Sequence, residues 1–271
     1  MTEPRVIDVA GYPALHAEPA GERRPHAIVL LHGFWAHHEH FRHYVRAFSD
    51  AGFQTYAPSR RGRCRVPPER GAGVRFEDHV EDTLRVLDAI DGEAIVLGWS
   101  LGGLVAQKVV ESRGAPALVL VAPVAPRDIR EPPTWAGWPA YLHHLPAMLL
   151  GRPFGLTARE ADAALLNGLP ELDRRRIHDT MVDDSGTVAR QIALVGVPVD
   201  ETKITCPVYC CVGIDDKITP ARSARRIARK YGATLREYPG RAHWLLEEPG
   251  WEGAVSDVVA WLDEKVYASA G

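Results

Sequence analysis

Glu93 to Gly103 reads EAIVLGWSLGG, and how this stretch is read decides the fold. Its opening run, Ala94-Ile95-Val96-Leu97, is too short for a helix and suits a strand buried on both faces. Gly98-Trp99-Ser100-Leu101-Gly102 follows as a match to G-x-S-x-G, after which Leu101, Leu104, Val105 and Val109 recur at helical spacing. A serine between a buried strand and an amphipathic helix sits in the context of a nucleophile elbow. The turn is sharp and crowded, so Gly98 and Gly102 leave the space that side chains would block. Ser100 is thereby lifted to the top of the sheet, beside a helix N-terminus that favours developing negative charge. The plainer reading is a Gly-Ser turn without chemistry, and the flanking pattern argues against it.

Outward from this turn the chain alternates strands and helices. Val6 to Ala20 suits a short antiparallel hairpin at a sheet edge. Ala27 to Leu31 is a buried strand ending in His32-Gly33-Phe34-Trp35. A helix is predicted from Glu39 to Ala51, with Phe41, Tyr44, Val45 and Phe48 on one face and Gly52 to stop it. Phe53 to Ala57 is the next strand, running into the loop from Pro58 to Arg63, and Phe76 to Ile90 reads as an amphipathic helix. Ala117 to Ala122 is a further strand. After a long interruption come a strand at Pro207–Val212, a helix at Pro220–Tyr231, a strand at Thr234–Tyr238 and a closing helix at Trp251–Val266. This rhythm predicts an α/β fold with a doubly wound, mostly parallel sheet, whose ligands bind beyond the carboxyl ends of the strands.

The interruption, Arg127 to Val199, holds no convincing strand. Its first part is rich in proline and apolar residues: Trp135, Trp138, Tyr141, Leu142, Met148, Leu149, Leu150 and Phe154. Thr157-x-x-Glu160 reads as a capping box opening a helix that Gly168 ends, and two more helices fit Pro170–Met181 and Ser185–Leu194. We expect a helical lid over residues 127–199, inserted between two late strands of a core formed by 1–126 and 200–271. Its aromatic segment suits a lid packing over a pocket better than a membrane-touching patch.

Two loops at strand ends carry what an activated serine needs. One is Gly213-Ile214-Asp215-Asp216-Lys217-Ile218-Thr219-Pro220, and the other is Pro239-Gly240-Arg241-Ala242-His243-Trp244. A serine hydroxyl is a weak nucleophile near pH 7 and needs a base in contact. Histidine can take that proton, and a carboxylate fixes its tautomer. The chain order Ser100, Asp216, His243 is the order that accompanies an elbow. The backbone N–H groups of Phe34 and Leu101 are placed to form an oxyanion hole.

With these residues in hand, the chain resembles the α/β-hydrolase superfamily, and most of all its lidded esterase, lysophospholipase and cofactor-free haloperoxidase-like branches. The resemblance runs through His32-Gly33-Phe34-Trp35, Pro58-Ser59-Arg60-Arg61-Gly62, the elbow, the Asp216 loop and Gly240-Arg241-Ala242-His243. It implies a nucleophile at Ser100, an acid at Asp216, a base at His243 and oxyanion donors at Phe34 and Leu101. Relatives often carry aspartate where Ser59 stands and glycine where Cys64 stands. Serine at position 100 argues against dehalogenases and epoxide hydrolases. Asp215 rivals Asp216, which is preferred because the family places its acid four residues before this proline, and Asp128 occupies an acid position used in some relatives. The expected reaction is hydrolysis of a carboxylic ester of a small to medium apolar substrate. C–C bond hydrolysis, perhydrolase activity and ligand binding on a hydrolase scaffold are the alternatives. Pocket candidates are Trp35, Trp99, Trp135, Trp138, Tyr141, Leu142, Met148, Leu149 and Trp244.

Composition sets outer bounds. The chain has 271 residues, 46% hydrophobic and 25% charged, with net charge −3. Nothing in that balance points to nucleic acid or an anionic membrane. No targeting or membrane-spanning run is visible, and a cytoplasmic setting without stable membrane association is expected. No metal and no cofactor are expected. Cys206, Cys210 and Cys211 read as small buried residues, and Cys64 beside Arg63 and Arg65 reads as structural rather than reactive. His37, His38, His40 and His43 read as a solvated helix start rather than a metal site. Arg222, Arg225, Arg226, Arg229 and Lys230 read as a solvated face.

Overall fold

The computed structural model describes residues 3–63, 66–129, 134–135 and 137–268. The expectation for Cys64 lies outside them. Eight strands form one sheet: β1 (Arg5–Val9), β2 (Tyr12–Ala17), β3 (Ala27–Leu31), β4 (Thr55–Pro58), β5 (Ala94–Trp99), β6 (Leu118–Val121), β7 (Val208–Gly213) and β8 (Thr234–Tyr238). Their order is β1-β2-β4-β3-β5-β6-β7-β8. The pairs β1–β2 and β2–β4 are antiparallel, and the other pairs are parallel. The order reverses at β3, so crossover helices cover both faces.

The apolar runs read as two-sided strands divide between two cores by alternation. On one side Ile28, Leu30, Ile95, Leu97, Val119 and Tyr209 pack under α1 (Arg42–Asp50) and α9 (Trp251–Leu262). On the other, Val29, Leu31, Val96, Leu118 and Leu120 pack under α2 (Phe76–Ala89), α3 (Leu101–Arg113) and α8 (Ala221–Tyr231). Adjacent Cys210 and Cys211 go to opposite cores as free thiols, and burial pushes the Cys210 thiol up to about 12. Each fully buried Val, Leu or Ile in these strands contributes about 1.5–3 kcal/mol.

Between β6 and β7 the described chain is helical: α4 (Trp138–Leu150), α5 (Ala158–Glu160, running on through Leu165), α6 (Glu171–Thr180) and α7 (Gly186–Arg190, running on through Val195). The capping box at Thr157 is present, with the Thr157 side chain accepting from the Glu160 N–H. The helix it opens stops at Leu165 rather than at Gly168. Gly168 has another reason to lack a side chain, because a Cβ there would collide with the Glu248 carboxylate. A second difference is at residues 38–50, where a tight turn at His38–Phe41 precedes α1 instead of one continuous helix. His38 and His40 are buried in that turn, not solvated. Among the described residues no helix is long and apolar enough to cross a membrane.

Candidate active site

Strand β5 ends in Trp99 and α3 begins at Leu101, so the whole reversal falls on Ser100. Its backbone sits at φ 56°, ψ −120°, a conformation that a side-chain-bearing residue keeps only when its surroundings enforce it. The enforcement is visible. The Ser100 N–H donates to the Val121 carbonyl at 3.0 Å, and the Ser100 carbonyl accepts from Gly103 at 2.9 Å and from Val124 at 3.0 Å. A Cβ on Gly98 would collide with the Gly102 backbone, and one on Gly102 with the Leu31 carbonyl. The tight approach expected of both glycines is therefore present.

Asp216 and His243 come together from the loops after β7 and β8. His243 Nδ1 lies 2.7 Å from Asp216 Oδ2, with both side chains buried. Asp216 Oδ1 accepts the Ile218 and Thr219 N–H groups at 2.8 Å each, which fixes the carboxylate. His243 Nε2 is buried and has no hydrogen-bond partner. The Trp99 indole N–H donates to the His243 carbonyl at 3.0 Å, which ties the histidine loop to the residue preceding Ser100. Asp215 is exposed and does not reach the histidine. Asp128 pairs with Lys230 at 2.5 Å on the surface, away from this arrangement.

Phe34 and Leu101, whose N–H groups are expected to receive negative charge, both belong to segments that adjoin Ser100. Leu101 is the first residue of α3, so its N–H has no partner one turn back. Phe34 follows Gly33, where a Cβ would come within 2.9 Å of the Ser100 Cβ, so this backbone runs against the serine.

Ser100 and Phe34 line a cavity of about 600 Å³ whose walls are mostly apolar. Of the expected pocket residues, Trp35, Trp138, Tyr141 and Met148 line it. The others do not, for two reasons. Trp99 and Trp244 are fully buried and pack edge to face at 4.7 Å in the core on the α1 and α9 side. Trp135, Leu142 and Leu149 are 94%, 60% and 52% exposed, because they stand on the outer side of the α4 region.

Four supporting residues carry no sequence signal that singled them out. The Thr219 hydroxyl lies 2.8 Å from Asp216 Oδ2 and 3.0 Å from the Ala122 carbonyl it donates to. Glu248, buried, accepts the Ala242 N–H at 2.7 Å and the Trp244 N–H at 2.9 Å, gripping the backbone on both sides of His243. Burial pushes its carboxyl above the usual range despite those two donors. Asp184 accepts the Trp35 N–H at 3.0 Å and forms a buried ion pair with Arg63, joining the helical segment to the loop that carries Phe34. Arg60, also buried, donates to the His32 carbonyl at 2.8 Å at the root of that loop. Only their folded neighbours make these residues significant.

Three histidines of the group at 37–43 bond to protein groups. His38 Nδ1 meets the Ser59 hydroxyl at 2.7 Å, His40 Nε2 the Thr180 hydroxyl at 3.0 Å and His37 Nε2 the Thr180 carbonyl at 3.1 Å. Burial pulls His38 down to about 4 and His40 to about 3, so both are neutral near pH 7.

Comparison with known proteins agrees with this fold. A model of the alpha/beta hydrolase family matches residues 28–251. The chain is 26% identical over 254 residues to a monoacylglycerol lipase of Mycolicibacterium smegmatis, covering 87% of each. Its structure is similar to that of a Paleococcus ferrophilus monoacylglycerol lipase, with a TM-score of 0.71 and 24% identity over 93% of this chain and 99% of that one. A soluble variant of the Saccharomyces cerevisiae monoglyceride lipase gives a TM-score of 0.73 at 16% identity, covering 98% and 96%.

Proposed function

The chain belongs to the alpha/beta hydrolase family, and from that premise we propose that it is a serine hydrolase cleaving carboxylic esters of small to medium apolar substrates through an acyl-enzyme. Ser100 is the nucleophile. His243 directs its Nδ1 proton to Asp216 and presents Nε2 as the base that takes the serine proton. Attack of Oγ on the ester carbonyl places the oxyanion between the Phe34 and Leu101 N–H groups. The imidazolium then gives its proton to the departing alcohol, and water hydrolyses the acyl-enzyme by the same route.

The observation that carries this reading is the buried Asp216–His243 pair, whose histidine backbone is bonded to the residue preceding a backbone-strained serine on the wall of an apolar cavity. That cavity falls within the roughly 300–1,000 Å³ that suits a small-molecule site. Residues 127–199 act as its lid, supplying Trp138, Tyr141 and Met148. The relatives named as monoacylglycerol lipases make one acyl chain on a small alcohol the first substrate class to assay.

An active-serine phosphonate should label the native chain at Ser100 and should not label Ser100→Ala. A panel of acyl esters should be hydrolysed by the first and not the second. An unlabelled native chain would sink the reading. Labelling without hydrolysis of any ester would instead move the chemistry to a C–C bond or to ligand binding.

A further inference from the structure

Away from Ser100, the helical segment brings three metal-ligating side chains together. α4 contributes consecutive histidines, His143 and His144, and the first turn of α5 contributes Glu160. His143 Nδ1 lies 2.7 Å from Glu160 Oε1, and His144 Nε2 lies 3.1 Å from Glu160 Oε2. All three donor groups lie within 4.8 Å of one another. No other group of this kind occurs among the described residues.

We infer that His143, His144 and Glu160 form a binding site for a zinc-class divalent ion on the helical segment. The donor set is the first reason. Two imidazoles and one carboxylate suit Zn²⁺, whereas Mg²⁺ and Ca²⁺ take shells of oxygen. Three protein ligands leave a fourth position for water.

Pre-organisation is the second reason. The Thr157 N–H and hydroxyl each reach Glu160 Oε2 at 2.8 Å, which fixes the carboxylate before any ion arrives. The His144 ring stacks on Phe154 with centroids 4.6 Å apart and an interplanar angle of 25°, which holds its orientation. Donors around a tetrahedral zinc at about 2.0–2.1 Å stand roughly 3.3 Å apart. The two histidine–carboxylate spacings, 2.7 and 3.1 Å, fall a little short of that value, so an ion can replace these hydrogen bonds through small outward side-chain shifts. Thr157 would stay on Glu160 as the outer support that such ligands need.

Those two hydrogen bonds are also what a purely structural tie between α4 and α5 would show, and metal binding separates the two. His144 and Glu160 line the cavity shared with Ser100, so an ion here would cross-link two helices of its wall. The chemistry proposed at Ser100 does not require the ion.

The test uses the full chain, stripped with a chelator. It is titrated with ZnCl₂ against a chromophoric competitor, and with CoCl₂ followed by visible d–d absorption. One ion per chain should bind with a dissociation constant on the order of 1 μM or tighter, while MgCl₂ should not compete. His143→Ala and His144→Ala should each weaken binding by about tenfold or more. His43→Ala, taken from the other histidine group, should leave it unchanged. His143 is exposed, so its variant should fold normally by circular dichroism. Absence of a site of that strength, affinity unchanged from the parent in either histidine variant, or loss of binding in His43→Ala would overturn the inference. The readout is bound metal rather than hydrolysis, so its failure leaves the Ser100 reading standing and the reverse also holds.

Discussion

Ser100 owes its conformation to backbone hydrogen bonds and glycine neighbours, not to its hydroxyl. Ser100→Ala should therefore keep its unfolding midpoint while ester turnover falls by about a thousandfold or more. Near-normal turnover would remove Ser100 from the mechanism. At Asp216 an amide would turn an NH₂ toward the Ile218 and Thr219 N–H donors or toward His243 Nδ1. Asp216→Asn should then cost about 10⁴-fold in kcat through the wrong histidine tautomer, whereas exposed Asp215→Asn should cost little. The opposite ranking, measured on one ester, would transfer the acid to Asp215. Glu248→Gln leaves one of its two backbone donors facing an NH₂, which should cost about 1–3 kcal/mol in denaturant unfolding. An unchanged midpoint would show that the grip on the His243 loop is unimportant. The sequence made Ser100, Asp216 and His243 legible because each sits in a motif at a strand end and their chain order is diagnostic. Thr219 and Asp184 were illegible because hydrogen bonds to backbone atoms of other segments leave no local pattern, and Glu248 because its two bonds close an irregular loop that has no periodic signal.

At the scale of elements, α4 explains both what was foreseen and what was not. Residues Tyr141, His144 and Met148 recur at helical spacing and line the cavity, while Leu142 and Leu149 recur on the outer side. Apolar residues occupy both sides of this helix and a histidine interrupts the inner stripe, so hydrophobicity could not tell inside from outside. The strands were easier, since a run buried on both faces needs no choice of face. Trp138→Ala and Tyr141→Ala should enlarge the cavity and move the preferred acyl chain toward greater length. Each added methylene that the space accepts should improve binding by about 0.8 kcal/mol. Leu142→Ala and Trp135→Ala should keep the parent's chain-length profile. If the outer substitutions shifted the optimum as much as the inner ones, α4 would be oriented differently in the working protein.

Across the whole molecule, buried neutral histidines join the sheet's loops to its helices, and they set how the fold responds to acid. Burial holds His32 and His79 far below the ordinary value of 6.5, with the Arg60 and Arg63 charges adding to it. Burial likewise holds His40 at about 3 and His38 at about 4. Once unfolded, each regains an ordinary pKa, so the unfolded chain binds more protons wherever the pH is below about 6.5. Their contribution is thus complete above that pH and is lost as pH falls toward the folded values. Glu248 acts in the opposite sense, because its raised carboxyl binds a proton more readily when folded. Glu160, held near 2, loses its contribution only at much lower pH. Between about pH 6.5 and 5, the histidines should therefore dominate, each adding a slope of up to about 1.4 kcal/mol per pH unit. The urea midpoint should fall through this window, and His40→Gln should flatten the fall by up to one proton's worth. A midpoint constant from pH 7.5 to 5 would show that these side chains are hydrated or rearranged in solution. A fall of unchanged steepness in His40→Gln would place the responsible groups elsewhere.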